Sequence, residues 1–104
     1  MDITIQSLGF TAGDGLEDFV REKLDRFDKE IRIMRATVTL FIGSAANPGR
    51  CYCEIRLEVP GKDIFVKKNS DTFDKAIIDT VDTLQKNIHK VKGKQLDRKH
   101  ESFG

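Results

Sequence analysis

Two cysteines and two histidines are all that the 104 residues offer of the softer metal ligands. A structural zinc wants four ligands, so no metal centre is expected. Cys51 and Cys53 are two apart; on a strand they share a face and are poorly placed to bridge each other. They alternate with polar residues in step with Ile55, Leu57 and Val59, which marks them as small buried side chains. His89 and His100 have no nucleophile or carboxylate at a diagnostic spacing, and a solvent-facing His89 is the expectation. "GFTAGDG" follows a strand and opens a helix, but it lacks the pattern and the lysine of a phosphate-binding loop. No cofactor, no small-molecule substrate and no catalysis are expected.

Long apolar runs are missing as well. "MDITIQSLGF" carries an acidic residue and alternating apolar positions, not the basic start and continuous apolar stretch of a signal peptide. Nothing elsewhere is long enough to span a bilayer. A cytoplasmic protein in a reducing setting is expected. There is no internal repeat, linker or low-complexity tract, and 104 residues suffice for one domain with a core of its own.

The patterns that are there alternate between periods of two and of 3.6. "DITIQ" reads as a strand with one buried face. A helix follows, with Asp14 as its cap, Glu17 three residues later, and Leu16, Phe19, Val20, Leu24 and Phe27 at helical spacing. Val38, Leu40 and Ile42 alternate with Thr37, Thr39 and Phe41, and "GSAANPGR" is a loop. "CYCEIRLEV" alternates again, and Pro60-Gly61 suits the centre of a type II turn into a fourth strand. A last helix starts near Ser70 and Asp71, carries the stripe Phe73, Ile77, Val81, Leu84, Ile88 and Val91, and stops at Gly93. The order is β-α-β-β-β-α: an α+β domain over residues 1–93, a four-stranded sheet with both helices on one face. Residues 94–104 are expected to be a basic, flexible tail.

Charge is divided unevenly. Residues 1–83 hold 12 Lys and Arg against 15 Asp and Glu, a balance of −3, whereas residues 84–104 hold six against two, or +4. At about 100° per residue, Lys86 and Lys90 point away from the apolar stripe; Lys94 extends their row, and Lys92 lies on the flank. Arg98 adds to the tail. A helix C-terminus attracts cations for local reasons, so this cluster alone does not decide between a dipole effect and a binding surface. The first helix adds Arg26 and Lys29 on its solvent side, with Glu22, Asp25 and Asp28 available to pair with them. Lys23 falls inside the apolar stripe, where its structural advantage is not evident. Lys67 and Lys68 close the fourth strand, where edge protection is their simplest role. No aromatic is interleaved with this basic cluster, which favours backbone contacts to folded RNA over base stacking.

Three stretches together, "LEDFVREKLDRFDK", the middle strand pair and "VPGKDIFVKKNSDTFDKAIIDTVDTLQKNIHKVKGK", resemble the short hibernation-promoting factors, the ribosome-associated inhibitor or subunit-interface proteins, over residues 2 to about 94. The hairpin followed by Asp71, Phe73, Ala76 and Ile77 and a basic-ended helix is the specific part. The resemblance implies a fold similar to double-stranded-RNA-binding domains. It also implies a partner, the 30S subunit and the 70S ribosome, bound through 16S rRNA near the A and P sites and the mRNA channel. Such binding inhibits translation in stationary phase or stress. By motif position Lys86, Lys90 and Lys94 match the basic positions of the family's last helix, and Lys23, Arg26 and Lys29 those of its first. "TAGDG" stands where the family has a Thr-Pro helix opening, and the long C-terminal extension that dimerises ribosomes in the longer forms is not seen. When free, the protein is expected to be a monomer. A generic double-stranded-RNA-binding module and a protein-interaction module, such as a transcription-factor modulator, are the alternatives.

Overall fold

The computed structural model describes the backbone of residues 1–43 and 50–103 and the side chains of residues 1–43 and 50–90. Strand β1 (Asp2–Leu8) leads into helix α1 (Asp14–Asp25), which tightens into a 3₁₀ turn (Arg26–Lys29). Strands β2 (Arg35–Ile42), β3 (Cys51–Val59) and β4 (Lys62–Ser70) follow, then helix α2 (Phe73–Phe103). The sheet order is β1-β2-β3-β4, with β1 parallel to β2 and the other pairs antiparallel. A parallel neighbour needs a crossover, and α1 supplies it.

Alternation decides which face is covered. Ala36, Val38 and Leu40 of β2, Cys53, Ile55 and Leu57 of β3, and Ile64 and Val66 of β4 are buried beneath the helices. From α1 and its 3₁₀ turn come Val20, Leu24 and Phe27; from α2 come Ala76, Ile77, Thr80, Val81, Leu84 and Ile88. Truncating Ile77 or Leu84 to alanine would cost roughly 2–5 kcal/mol. Thr80 is the one fully buried polar residue among those described. Its hydroxyl donates to the Ala76 carbonyl at 2.7 Å, so the helix itself satisfies it. Both cysteines are free and buried, as the alternation requires. Cys51 donates its thiol to the Asp71 carbonyl at 3.4 Å, tying the start of β3 to the turn before α2.

Local chemistry sets the element ends, not always at the residue expected. Gly61 has φ +88 between β3 and β4, the left-handed conformation that a Pro-Gly hairpin requires of its second residue. Asp14 is the first residue of α1, not its cap; Gly13 caps it, accepting the Glu17 N–H at its carbonyl (3.3 Å), with no side-chain cap. Thr72, not Ser70 or Asp71, caps α2, accepting the Lys75 N–H at Oγ1 (3.2 Å). Gly93 does not end α2, which continues to Phe103. A single interior glycine costs about 1 kcal/mol relative to alanine, and the helix-forming lysines and glutamine around it oppose that penalty. The loop expected over residues 43–50 lies largely outside the described residues, and so does the side chain of Val91.

Candidate nucleic-acid interface

Cations on the helix side come from three places in the chain. Lys23 sits in the last turn of α1, half-buried. Its ammonium lies 5.3 Å from the centre of the Phe19 ring, so the lysine covers an aromatic face that would otherwise meet water. That is the structural advantage the helical wheel did not reveal. Arg26 and Lys29 open and close the 3₁₀ turn, and both are exposed. Lys86 and Lys90 are exposed on α2.

Nearby acids do not neutralise these cations. The only described ion pairs are the amino terminus with Asp28, Arg35 with Glu58, and Lys67 with Glu54. Asp28, expected as a partner for the first helix's cations, faces the amino terminus at 3.7 Å instead. Arg26, Lys29, Lys86 and Lys90 are therefore without an ion pair among the described residues.

A polar clasp holds the two groups together. Glu30 directly follows the 3₁₀ turn, and Gln85 directly precedes Lys86. The Gln85 amide nitrogen lies 3.3 and 3.2 Å from the two carboxylate oxygens of Glu30. The same nitrogen is 3.0 Å from His89 Nε2. The clasp brings the segment bearing Arg26 and Lys29 beside the turn of α2 bearing Lys86 and Lys90. Sequence reasoning identified the cations but missed Glu30 and Gln85, since nothing in a helical wheel pairs residues 55 apart.

Other expected contributors stand elsewhere. Lys67 and Lys68 are both exposed on β4, but neighbours on a strand point to opposite faces. Lys68 registers with buried Cys53 and shares the helix side. Lys67 registers with Glu54 on the open face, opposite the helices, and binds it at 3.5 Å. The side chains of Lys92, Lys94 and Arg98 lie outside the described residues.

The arrangement can hold phosphates. Among the described residues no group of His, Cys, Asp and Glu could hold a metal ion, and no helix is long and apolar enough to cross a membrane. Burial pushes the Cys53 thiol up to about 11, with the charge of Glu54 adding and a hydrogen bond to Thr80 opposing. A thiol so held is protonated and unreactive at neutral pH.

Comparison with known proteins agrees with this architecture. The N-terminal domain of Thermus thermophilus Protein Y superposes with a TM-score of 0.75 at 25% identity, over 88% of this chain and 99% of that one. A ribosomal subunit interface protein from Coxiella burnetii gives a TM-score of 0.76 at 19% identity, over 89% of this chain and 99% of that one, a likeness of fold. No curated protein sequence matches the chain significantly. The model of one family spans residues 3–96, nearly the whole length, and the chain belongs to that family, described as sigma 54 modulation protein / S30EA ribosomal protein.

Proposed function

We propose that this protein is a ribosome hibernation factor. It binds the 30S subunit through 16S rRNA near the A and P sites and the mRNA channel, and it inhibits translation in stationary phase or stress. Its action is occlusion, with no bond made or broken, and its setting is the cytoplasm. The observation that carries the reading is the Glu30–Gln85 clasp, which joins the segment bearing Arg26 and Lys29 to the turn of α2 bearing Lys86 and Lys90, four cations without ion pairs among the described residues. Unpaired lysines and arginines keep their full charge for phosphate, and each phosphate neutralised releases counterions. Lys23 adds to this set, its ammonium held on Phe19 at the edge of the core. Lys68 stands on the same side of the sheet, and Lys92, Lys94 and Arg98 continue the basic run of the sequence.

Membership in a family named for a ribosomal protein supports the partner. The test is a titration of the protein against 30S subunits, 50S subunits and a plain RNA duplex in one buffer of stated salt. Tight, saturable binding to 30S alone is expected. Equal, weak binding to all three would reduce the surface to a generic duplex-RNA binder. Capture of a protein partner that survives nuclease treatment, with no binding to subunits, would favour the transcription-factor-modulating alternative.

A further inference from the structure

The sheet's open face carries aromatic rings on its two central strands, and neither helix covers them. Phe41 of β2 and Tyr52 of β3 are register partners. Their rings stack with centroids 4.8 Å apart and planes 4° from parallel. Lys67 places its ammonium 5.5 Å from the centre of one ring and 5.4 Å from the other. One step along the sheet, Arg56 lies 5.9 Å from the centre of the Phe65 ring, and Phe65 is 52% exposed.

Cross-strand pairing explains why two rings meet, but not why they lie, half-buried, on the face that neither helix covers. Gly43 provides a second observation: a Cβ there would collide with the Tyr52 ring, so the ring occupies a place that only glycine leaves open. Between the rings and the charged end of the sheet stand Gln6, Thr37 and Thr39, all neutral hydrogen-bonding groups. The acids offer little opposition. Glu54 and Glu58 are paired with Lys67 and Arg35, and Asp2 and Asp63 lie in the row farthest from Phe41 and Tyr52.

Aromatic rings beside cations, next to hydroxyl and amide groups on an uncovered four-stranded sheet, match the chemistry of unpaired nucleotides. Bases stack on rings, phosphates meet cations, and base edges meet the neutral polar groups. We propose that this face is a second RNA site, one that takes a short single-stranded segment with its bases at Phe41 and Tyr52 and its phosphates at Lys67 and Arg56. The proposal extends the RNA reading above to the opposite side of the molecule, and the two are separable by experiment.

The chain has one tyrosine and no tryptophan, so tyrosine emission reports on this face alone. The full chain is titrated with single-stranded RNA hexamers of adenine and of uracil, with emission corrected for nucleotide absorption. Saturable quenching is expected. Phe41→Leu should weaken it about tenfold, in keeping with the worth of one base–ring stack. Lys67→Gln, an exposed change that does not threaten the fold, should weaken it severalfold. The double change Lys86→Ala with Lys90→Ala should leave quenching intact. Failure of the unaltered protein to bind 30S subunits, with quenching retained, would sink the ribosome reading and spare this one. Two results overturn this proposal. One is quenching abolished by the α2 changes but indifferent to Phe41→Leu and Lys67→Gln. The other is no saturable quenching up to millimolar hexamer, which would leave the rings to a protein partner.

Discussion

Gln85 and Glu30 are 55 residues apart in the chain, yet the amide nitrogen of one lies within 3.3 Å of both carboxylate oxygens of the other. Helices α1 and α2 both lean on the sheet, and apolar packing alone would tolerate small slides between them. A charge-assisted hydrogen bond has direction. It fixes which turn of α2 sits beside the 3₁₀ turn, and with it the relation between the two sets of cations.

Gln85→Ala should therefore separate stability from placement. Glu30 is half-buried, so losing its donor is expected to cost about 1–3 kcal/mol, read from urea denaturation. Binding to 30S subunits should weaken as well, although no cation has been removed. Unchanged affinity at conditions where the variant is fully folded would mean that the clasp does not position the site.

Lys23 has two duties that different substitutions divide. Lys23→Met keeps an aliphatic chain over Phe19 and removes the charge, so it should hold the melting temperature while weakening RNA binding. Lys23→Ala uncovers the ring too and should lower the melting temperature through lost packing of the aliphatic stem. If Lys23→Met destabilises as much as alanine and leaves RNA binding alone, the lysine is a structural residue only.

Much of this architecture is legible in the sequence because period and burial agree. Ile55 and Leu57 alternate with Glu54 and Arg56, and the buried face follows at once. Val20, Leu24, Leu84 and Ile88 report their helices in the same way. Helix ends were harder. Asp14 and Asp71 look like caps, but capping depends on backbone angles that composition does not fix, and Gly13 and Thr72 hold those positions. The site was legible in its charges and not in its geometry. Nothing local in the sequence distinguishes Lys67 from Lys68, yet the pleat sends them to opposite faces. Phe41 and Tyr52 are both visible on the polar side of their strands, but only the β2–β3 register makes them a pair.

Cys53 gives the fold a dependence on alkaline pH. Its ordinary value of 9.0 rises to about 11 because burial disfavours the thiolate. A group held protonated in the folded state stabilises it fully below the unfolded value, and that contribution is lost as pH climbs from 9.0 through about 11. Denaturation of the wild type should become easier between about pH 8 and about pH 10.5, and more steeply than for Cys53→Ala. The comparison cancels every group that the two proteins share. Parallel slopes for the two proteins would show that Cys53 does not carry the effect.

Salt dependence counts the phosphates that the helix side engages. About six contacts give a slope of log affinity against log salt on the order of −4 to −5. Replacing Lys86 and Lys90 by alanine should make that slope shallower by about 1.5 to 2, and replacing Arg26 and Lys29 should do the same. These four side chains are exposed and without ion pairs among the described residues, so neither pair should change the melting temperature much. Because α2 runs to Phe103, Lys86 and Lys90 lie well before its last turn, too far for the helix dipole to act on them; an unaltered slope would leave them as a solvated helix face. Lys67→Gln serves as the internal control. Its charge is on the far face, bound to Glu54, and it should leave the slope for 30S binding where it was if the helix side alone faces the subunit. A slope that falls equally for every lysine, whichever face it occupies, would mean that the protein meets RNA as a diffuse cation and not through a placed surface.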